Sequence, residues 1–443
     1  MQESVYRVMR LLCAVVAAVP VGTNLGLVYL LWMLVSGRLL ATRGALIPGL
    51  SATGLAAPAV RRAWAALGHG SWTSAGLLAD WRGVVEREEQ WQAHSYEGYR
   101  PVAVDVTGFW RPRLANCPTT HYDGGAGKAR AAIPVGIVAR IGSVGSQRLG
   151  LPLALVRADP VEPSPAVHNR ALAREAVAVA GAADAVVVDG GFGVRLLQEA
   201  GATAFVARVA KNFTARRAEP PPYPGRGRPA TRGELVRPLA RRYRGRELPA
   251  TPPDRAVTWQ EGEAVLRAEQ WDRVLLPDAA PGSPTFQVVA IHHPRHPEPL
   301  LLASPLAVSP RALRGLYADR WPVEQLPLAA KQMLGAGRQF VSEPETCQRL
   351  PELALLAGAI LTYAAATQPA VPTGFWDRRP QPTPGRLRRV LAQAGFPKHF
   401  PFPARVREKA AVSDHLPKGY WGQRRRRQAG RIPASSPGPS QAA

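Results

Sequence analysis

Cysteine is scarce in this chain: three in 443 residues, Cys13, Cys117 and Cys347, widely separated and without a C-x-x-C pair. The spacing excludes a zinc ribbon, argues against a disulfide framework and suits a reducing compartment. Acidic residues are the second shortage. Asp and Glu number 32 against 56 Lys and Arg, a formal charge of +24. With a pI near 11.1, self-repulsion would oppose compaction unless a polyanion is the usual partner. Nucleic acid is the commonest such partner, and an anionic membrane surface comes second.

Charge is absent altogether from residues 11–36, which include the apolar run Leu27-Val-Tyr-Leu-Leu-Trp-Met-Leu. By length alone this stretch is a membrane-span candidate. Pro20, Gly22, Asn24 and Gly26 divide it, and Arg7 and Arg10 before it are matched by Arg38 and Arg43 after it. No positive-inside asymmetry results, and no signal-peptide cleavage pattern follows. A buried helical pair is the expectation, with no membrane association.

What the chain does have is 46% hydrophobic residues, enough for a substantial folded core. Residues 1–95 read as a helical N-terminal domain, a candidate for binding DNA ends. Within 96–212 the order is β-β-β-α-β-α-β. Strands are expected at 101–109, 132–141 and 149–158, then at 185–188 and 204–209, with helices at 166–180 and 194–200. Three consecutive strands followed by alternating helix and strand suit a mixed sheet with helices on its faces. Residues 213–305 read as a basic, Pro-rich linker followed by a β-rich insertion. Helices return over 306–370, and 371–443 form a basic C-terminal region with a disordered tail. The fold class is therefore α/β, with the order of an RNase H-like core, a β-rich insertion and a helical N-terminal domain.

Three carboxylates stand where chemistry could use them. Asp105 interrupts the apolar strand Val102-Ala-Val-Asp-Val-Thr-Gly-Phe. Asp189 ends Ala185-Val-Val-Val-Asp before Gly190-Gly-Phe, and Glu324 lies on a helix in Tyr317-Ala-Asp-Arg-Trp-Pro-Val-Glu. A carboxylate in or capping a buried strand is costly unless a cation neutralises it. Two such strands side by side, with a third carboxylate from a helix, would hold two divalent ions for phosphodiester cleavage or transfer. Hard oxygen donors suit Mg2+, with Mn2+ as a substitute.

Residues 317–331 resemble the Tyr-x2-Arg-x3-Glu-x6-Lys signature of one large branch of bacterial insertion-sequence transposases, matched by Tyr317, Arg320, Glu324 and Lys331. Asp189-Gly-Gly-Phe192 is similar to that branch's Asp-x-Gly-Phe/Tyr motif, and Asp105-Val-Thr107 looks like its first Asp motif. The resemblance covers roughly residues 102–340. It implies a DDE transposase that cuts and rejoins the ends of its own mobile element. Asp105, Asp189 and Glu324 would be the catalytic metal ligands, and Tyr317, Arg320 and Lys331 would contact DNA. It further implies terminal inverted repeats and target DNA as partners, a homodimer on the DNA, and a cytoplasmic, nucleoid-associated setting. The rival expectations are a domesticated or inactive DNA-binding relative and a membrane protein with a basic soluble portion.

Weaker signals point elsewhere or nowhere. Gly124-Gly-Ala-Gly-Lys128 lacks the first Gly and the final Ser/Thr of a phosphate loop, so ATP binding is not expected. His292, His293 and His296 read as a structural loop, since Pro294 breaks any helix there. Arg226-Gly-Arg-Pro229 resembles the core of a minor-groove arm. Trp259 and Trp271 are expected to pack in the insertion's core.

Overall fold

The structure, a computed structural model, describes residues 2–223, 225–226, 230–280, 282–372 and 374–408. Residues 227–229 of the minor-groove-arm motif and the basic tail beyond 408 lie outside them.

The chain is α/β. Six helices come first: α1 (Gln2–Val15), α2 (Thr23–Val35), α3 (Arg38–Ala41), α4 (Leu46–Ser51), α5 (Ala57–His69) and α6 (Ser74–Glu88). The uncharged stretch is a broken helical pair, α1 and α2 separated at Pro20 and Gly22, and twelve of the residues of α2 are buried. After β1 (Gln92–Ala93) come β2 (Arg100–Trp110), β3 (Thr120–Asp123), β4 (Lys128–Val144) and β5 (Gln147–Arg157). Then follow α7 (Pro165–Val179), β6 (Asp184–Val188), α8 (Val194–Glu199) and β7 (Phe205–Arg208). The β-β-β-α-β-α-β order read from sequence is present, with β1 and β3 as small additions. Gly124–Gly127, the loop with a phosphate-binding look, is the turn of the β3–β4 hairpin, where Asp123 accepts bonds from the Gly125 and Ala126 amides.

These strands lie in the order β5-β4-β2-β6-β7. β2, β4 and β5 pair antiparallel, and β6 and β7 join parallel. Parallel pairing requires crossovers, which α7 and α8 provide. The register is anchored at the start of β6 by Asp184. Its buried carboxylate accepts from Arg100 Nε at 2.8 Å, Arg140 at 2.6 Å and the Gly181 amide at 2.8 Å.

The stretch 213–305 contributes β8 (Ala215–Arg217), β9 (Leu235–Val236), β10 (Arg241–Tyr243), β11 (Arg246–Leu248), β12 (Arg255–Glu261), β13 (Ala264–Leu275), β14 (Phe286–His292) and β15 (Leu300–Ser304). All but the β10–β11 hairpin extend the same 13-stranded sheet, because β15 pairs antiparallel with β7. Trp271 is fully buried, and its indole N–H donates to the Thr251 and Pro252 carbonyls at 3.0 Å. Trp259 packs on a neighbouring apolar cluster, so both tryptophans take the core role expected of them.

Beyond the sheet lie α9 (Pro310–Ala318), a 3-10 turn (Trp321–Glu324), α10 (Gln325–Leu328), a π turn (Ala329–Met333), α11 (Pro344–Ala366) and α12 (Pro384–Ala394). One sheet face, carrying Val102, Val104, Val186 and Val188, packs on Leu172, Ala173 and Ala176 of α7 and Leu197 of α8. The opposite face, with Ala103, Phe109, Ile137 and Ile141, meets one continuous core shared by the N-terminal helices, α11 and α12. Helices at the two ends of the chain thus close a common core. Glu88 of α6 binds Arg7 of α1 at 2.6 Å and Tyr363 of α11 at 2.7 Å. α11 is the one described helix long and apolar enough to cross a membrane, and 83% of its apolar window is buried inside the protein.

Candidate active site

Alternation along β2 places Asp105, Thr107 and Phe109 on the face that also carries Ala103, the face covered by the C-terminal helical segment. β2 and β6 pair Arg100 with Asp184 and Ala103 with Val187. The same offset of 84 residues, carried two positions on, sets Asp105 opposite Asp189, which follows β6 directly. Both carboxylates line a cavity of about 220 Å³ with His121, His168 and Asn169. Asp189 Oδ1 accepts the Gly191 amide at 3.0 Å, so the Gly-Gly turn holds its carboxylate at the strand end.

Glu324 does not lie on one continuous helix with Tyr317 and Lys331, as the heptad spacing suggested. Tyr317 lies in the last turn of α9, Glu324 closes the 3-10 turn and Lys331 sits in the π turn. Pro322 and Pro327 remove two amide donors within six residues, and each disfavours helical backbone before it. The bend between α9 and the 3-10 turn is fixed by Asp319. This buried carboxylate receives Tyr96 Oη at 2.8 Å and Arg148 at 3.3 Å, and stands 2.7 Å from His94 Nδ1.

Asp105 nevertheless feels the other two carboxylates. The Asp105 carboxyl is pushed up to about 6, first by burial and then by Glu324 and Asp189, with Arg320 opposing. Arg320 donates to Glu324 at 2.6 Å, stands 6.0 Å from the Tyr317 ring, and is held more firmly protonated by Glu324, Tyr317 and Asp189, against the burial that would weaken it. Its guanidinium is thus the shared counter-charge of all three acids. Among the described residues, no three His, Cys, Asp or Glu side chains are close enough together to form a ready-made metal centre. The Glu324 carboxylate is committed to Arg320.

Lys331 reaches the site from the far side. Its ammonium donates to Thr107 Oγ1 at 2.6 Å and lies 5.2 Å from the centre of the Phe109 ring. Burial pulls it down to about 8, with Asp105 acting the other way. Thr107 of the Asp-x-Thr motif therefore serves as the seat of Lys331, a role that only the fold reveals.

Sequence reasoning missed the walls. A cleft of about 870 Å³ opens on the other side of Asp189, lined by Arg208, Lys211, His293, His296, Arg314 and Tyr317. His293 and His296 form the β14–β15 turn, their rings 5.2 Å apart. Lys211 pairs with Glu298 and Arg314 with Glu261, while Arg208 is exposed and makes no ion pair among the described residues. In the smaller cavity His121 lies against β2 because residue 108 is Gly, where an added Cβ would stand 2.7 Å from the His121 side chain. The His121 imidazole is held below its usual range by burial, by Lys331 and by His168. Clusters of basic side chains around an acidic strand end come from segments far apart in sequence, and nothing in their spacing announces them.

No known protein-family model matches this chain, and no curated protein matches it in sequence.

Proposed function

We propose that this chain is a DNA transposase that cuts and joins the ends of its own mobile element by metal-dependent phosphodiester transfer on an RNase H-like core. The observation that carries this reading is the β2–β6 register, which brings Asp105 beside Asp189 under a segment bearing Glu324, Arg320 and Lys331. The sheet order supports it, since three antiparallel strands with the first one central, followed by two parallel strands, suit that core. The formal charge of +24 supports a nucleic-acid partner. The partners would be terminal inverted repeats and target DNA, with two copies of the chain assembling on them.

The donors are of the type a divalent cation takes, hard carboxylate oxygens, though no group of three is already assembled among the described residues. Asp105, raised by burial and then by two neighbouring carboxylates, with a guanidinium as their counter-ion, makes a site rich in hard negative oxygen. Asp105, Asp189 and Glu324 would hold Mg2+ or Mn2+, which when bound supplies activation of a water or 3′-hydroxyl and stabilisation of the leaving oxygen. Glu324 must first leave Arg320, which frees that guanidinium to meet a phosphate. Lys331, seated on Thr107, is aimed at the same space. Tyr317 borders the larger cleft and supports Arg320 through its ring.

A second reading, a relative that binds DNA without cutting it, is favoured by the Arg320–Glu324 pair, which occupies the third ligand. One experiment separates the two. The full chain is incubated with Mg2+ and the DNA flanking its coding region, and strand breaks are mapped. The transposase reading expects cuts at inverted-repeat ends that vanish in Asp189→Ala, with DNA affinity retained or raised. Cuts unaffected by Asp189→Ala would overturn the site, and binding without cutting would establish the second reading.

A further inference from the structure

We infer that the cleft between turn 111–114 and loop 337–342 is a binding subsite for single-stranded nucleic acid, with Phe340 as the stacking face and Arg113 and Arg338 as phosphate contacts. The inference deepens the DNA reading above and rests on it for the biological partner. The cleft measures about 610 Å³ and is lined by Trp110, Arg111, Arg113, Arg338 and Phe340 among others.

Phe340 is 63% exposed, although a large apolar core lies close behind its loop. A lone exposed aromatic is ordinary. This one stands in a concave site with Arg113 and Arg338, both exposed and both without an ion pair among the described residues. An aromatic face between free guanidinium groups is what a splayed base and its flanking phosphates require.

The cleft's floor supplies an independent observation. Arg111 is only 4% exposed. Its guanidinium donates to the Val341 carbonyl, to Gln339 Oε1 at 3.3 Å and to Cys347 Sγ at 3.2 Å. All three acceptors are neutral, and no carboxylate pairs with it among the described residues. A buried cation without a counter-charge is costly, and an anion entering the cleft would relieve that cost. The nearby Glu343 is committed elsewhere, capping α11 through the Glu345 and Thr346 amides at 3.1 and 2.6 Å. Arg111 also pins residues 339–341, so Phe340 is presented on fixed backbone.

Position ties the cleft to the carboxylates. From Asp105, β2 runs five residues to Trp110, about 17 Å at strand rise. Lys331 lies between them, over Thr107 and Phe109, and a Cβ on Gly337 would meet the Lys331 Cβ at 3.5 Å. The cleft and Asp105 thus lie along one strand, with Lys331 between them. Stacking demands an unpaired base, which selects single strands over duplex.

The test uses the full chain in EDTA, where cleavage cannot enter, with fluorescent oligothymidylate and a duplex of equal length. Phe340→Ala should weaken single-strand binding about tenfold, as loss of one stacked base does. Duplex affinity should stay within about twofold, since a paired base offers no face for stacking, and Phe340→Tyr should restore single-strand binding. The Arg113→Ala/Arg338→Ala double variant should lower the single-strand salt slope by about 1.4. Phe375→Ala, another exposed aromatic, serves as control. Equal single-strand affinity in Phe340→Ala and Phe375→Ala would overturn the subsite, as would Phe340-dependent capture of an acidic peptide without single-strand binding. If wild type cuts its ends while Phe340→Ala binds single strands normally, the subsite falls and the transposase reading stands. If the Phe340 effect appears but no ends are cut, the reverse holds. A chain that binds no nucleic acid loses both.

Discussion

Asp105 on β2 and Asp189 just past the end of β6 line one cavity, 84 residues apart in sequence, the same offset that pairs Arg100 with Asp184 on the parallel strands. Each Asp ends or interrupts an apolar strand, and the Asp105 carboxyl is raised by burial first and then by Glu324 and Asp189. The register that creates this pairing is held at its start by Asp184, bonded to one arginine on β2 and one on β4.

Removing that anchor should loosen the site from a distance. Asp184→Ala leaves Arg100 and Arg140 without their shared carboxylate and is expected to cost about 3 kcal/mol of stability. Denaturant midpoints check this. Asp184→Asn should recover part of the loss by keeping an acceptor for the Gly181 amide and one arginine. A melt identical to wild type for Asp184→Ala would show that strand hydrogen bonds alone fix the register.

The Asp105 carboxyl makes stability depend on pH in a defined direction. Its folded value, about 6, lies above that of an unfolded Asp. The folded state therefore holds the proton more tightly, and stability falls as pH rises from roughly 4 to 6 and stays lowered above. In EDTA at pH 7.5, Asp105→Asn should be more stable than wild type by on the order of 2 kcal/mol. At pH 4 the gain should disappear. A gain of the same size at both pH values would assign it to packing instead.

Much of the sheet that carries Asp105 and Asp189 is legible in the sequence, for local reasons. β2 reads as a strand because five apolar positions surround a single charge, and the hairpin of β4 and β5 is announced by Gly142-Ser-Val-Gly-Ser. Asp105 stands out because it is the one acid in such a run. The segment after α9 is less legible. Heptad spacing puts Tyr317, Glu324 and Lys331 on one helical face, but Pro322 and Pro327 divide the segment into 3-10, α and π turns. Lys331 still reaches β2, by way of Thr107 rather than through a shared helical face. Least legible are long-range pairings. β15 meets β7 across the whole insertion, and Arg111 meets Val341 across 230 residues. Such contacts are chosen by the packed core, and no local pattern encodes them.

Arg320 should compete with a divalent ion for the carboxylates. In the unliganded site it is the counter-charge of Glu324, Asp105 and Asp189. Arg320→Met keeps the apolar stem and removes one positive charge, so Mn2+ affinity should rise about tenfold, from electrostatics alone. DNA binding should weaken in the same variant. Titration of free Mn2+ by its paramagnetic resonance signal measures the first effect. Unchanged or weaker Mn2+ binding would mean that the guanidinium positions Glu324 for the ion and does not compete with it.

Lys331 offers the sharpest pH test of a DNA contact. Its ammonium is half-buried on Thr107, no carboxylate among the described residues lies within bonding distance of it, and burial brings its value down to about 8. A phosphate arriving beside it would favour the charged form, so DNA binding above pH 8 must draw in a proton. The sign follows: wild-type affinity should fall as pH rises from 7 to 9.5, by less than tenfold per unit. Lys331→Ala should bind more weakly at pH 7, with a duplex salt slope reduced by about 0.9, and with similar losses on every DNA sequence. Because Ala carries no proton, its affinity should lack this part of the pH dependence, and the two curves should converge near pH 9.5. Lys331→Arg stays charged throughout and should hold its affinity at high pH if the wider fork fits beside Thr107. Parallel curves for wild type and Lys331→Ala, with equal salt slopes, would confine Lys331 to holding β2 against the π turn.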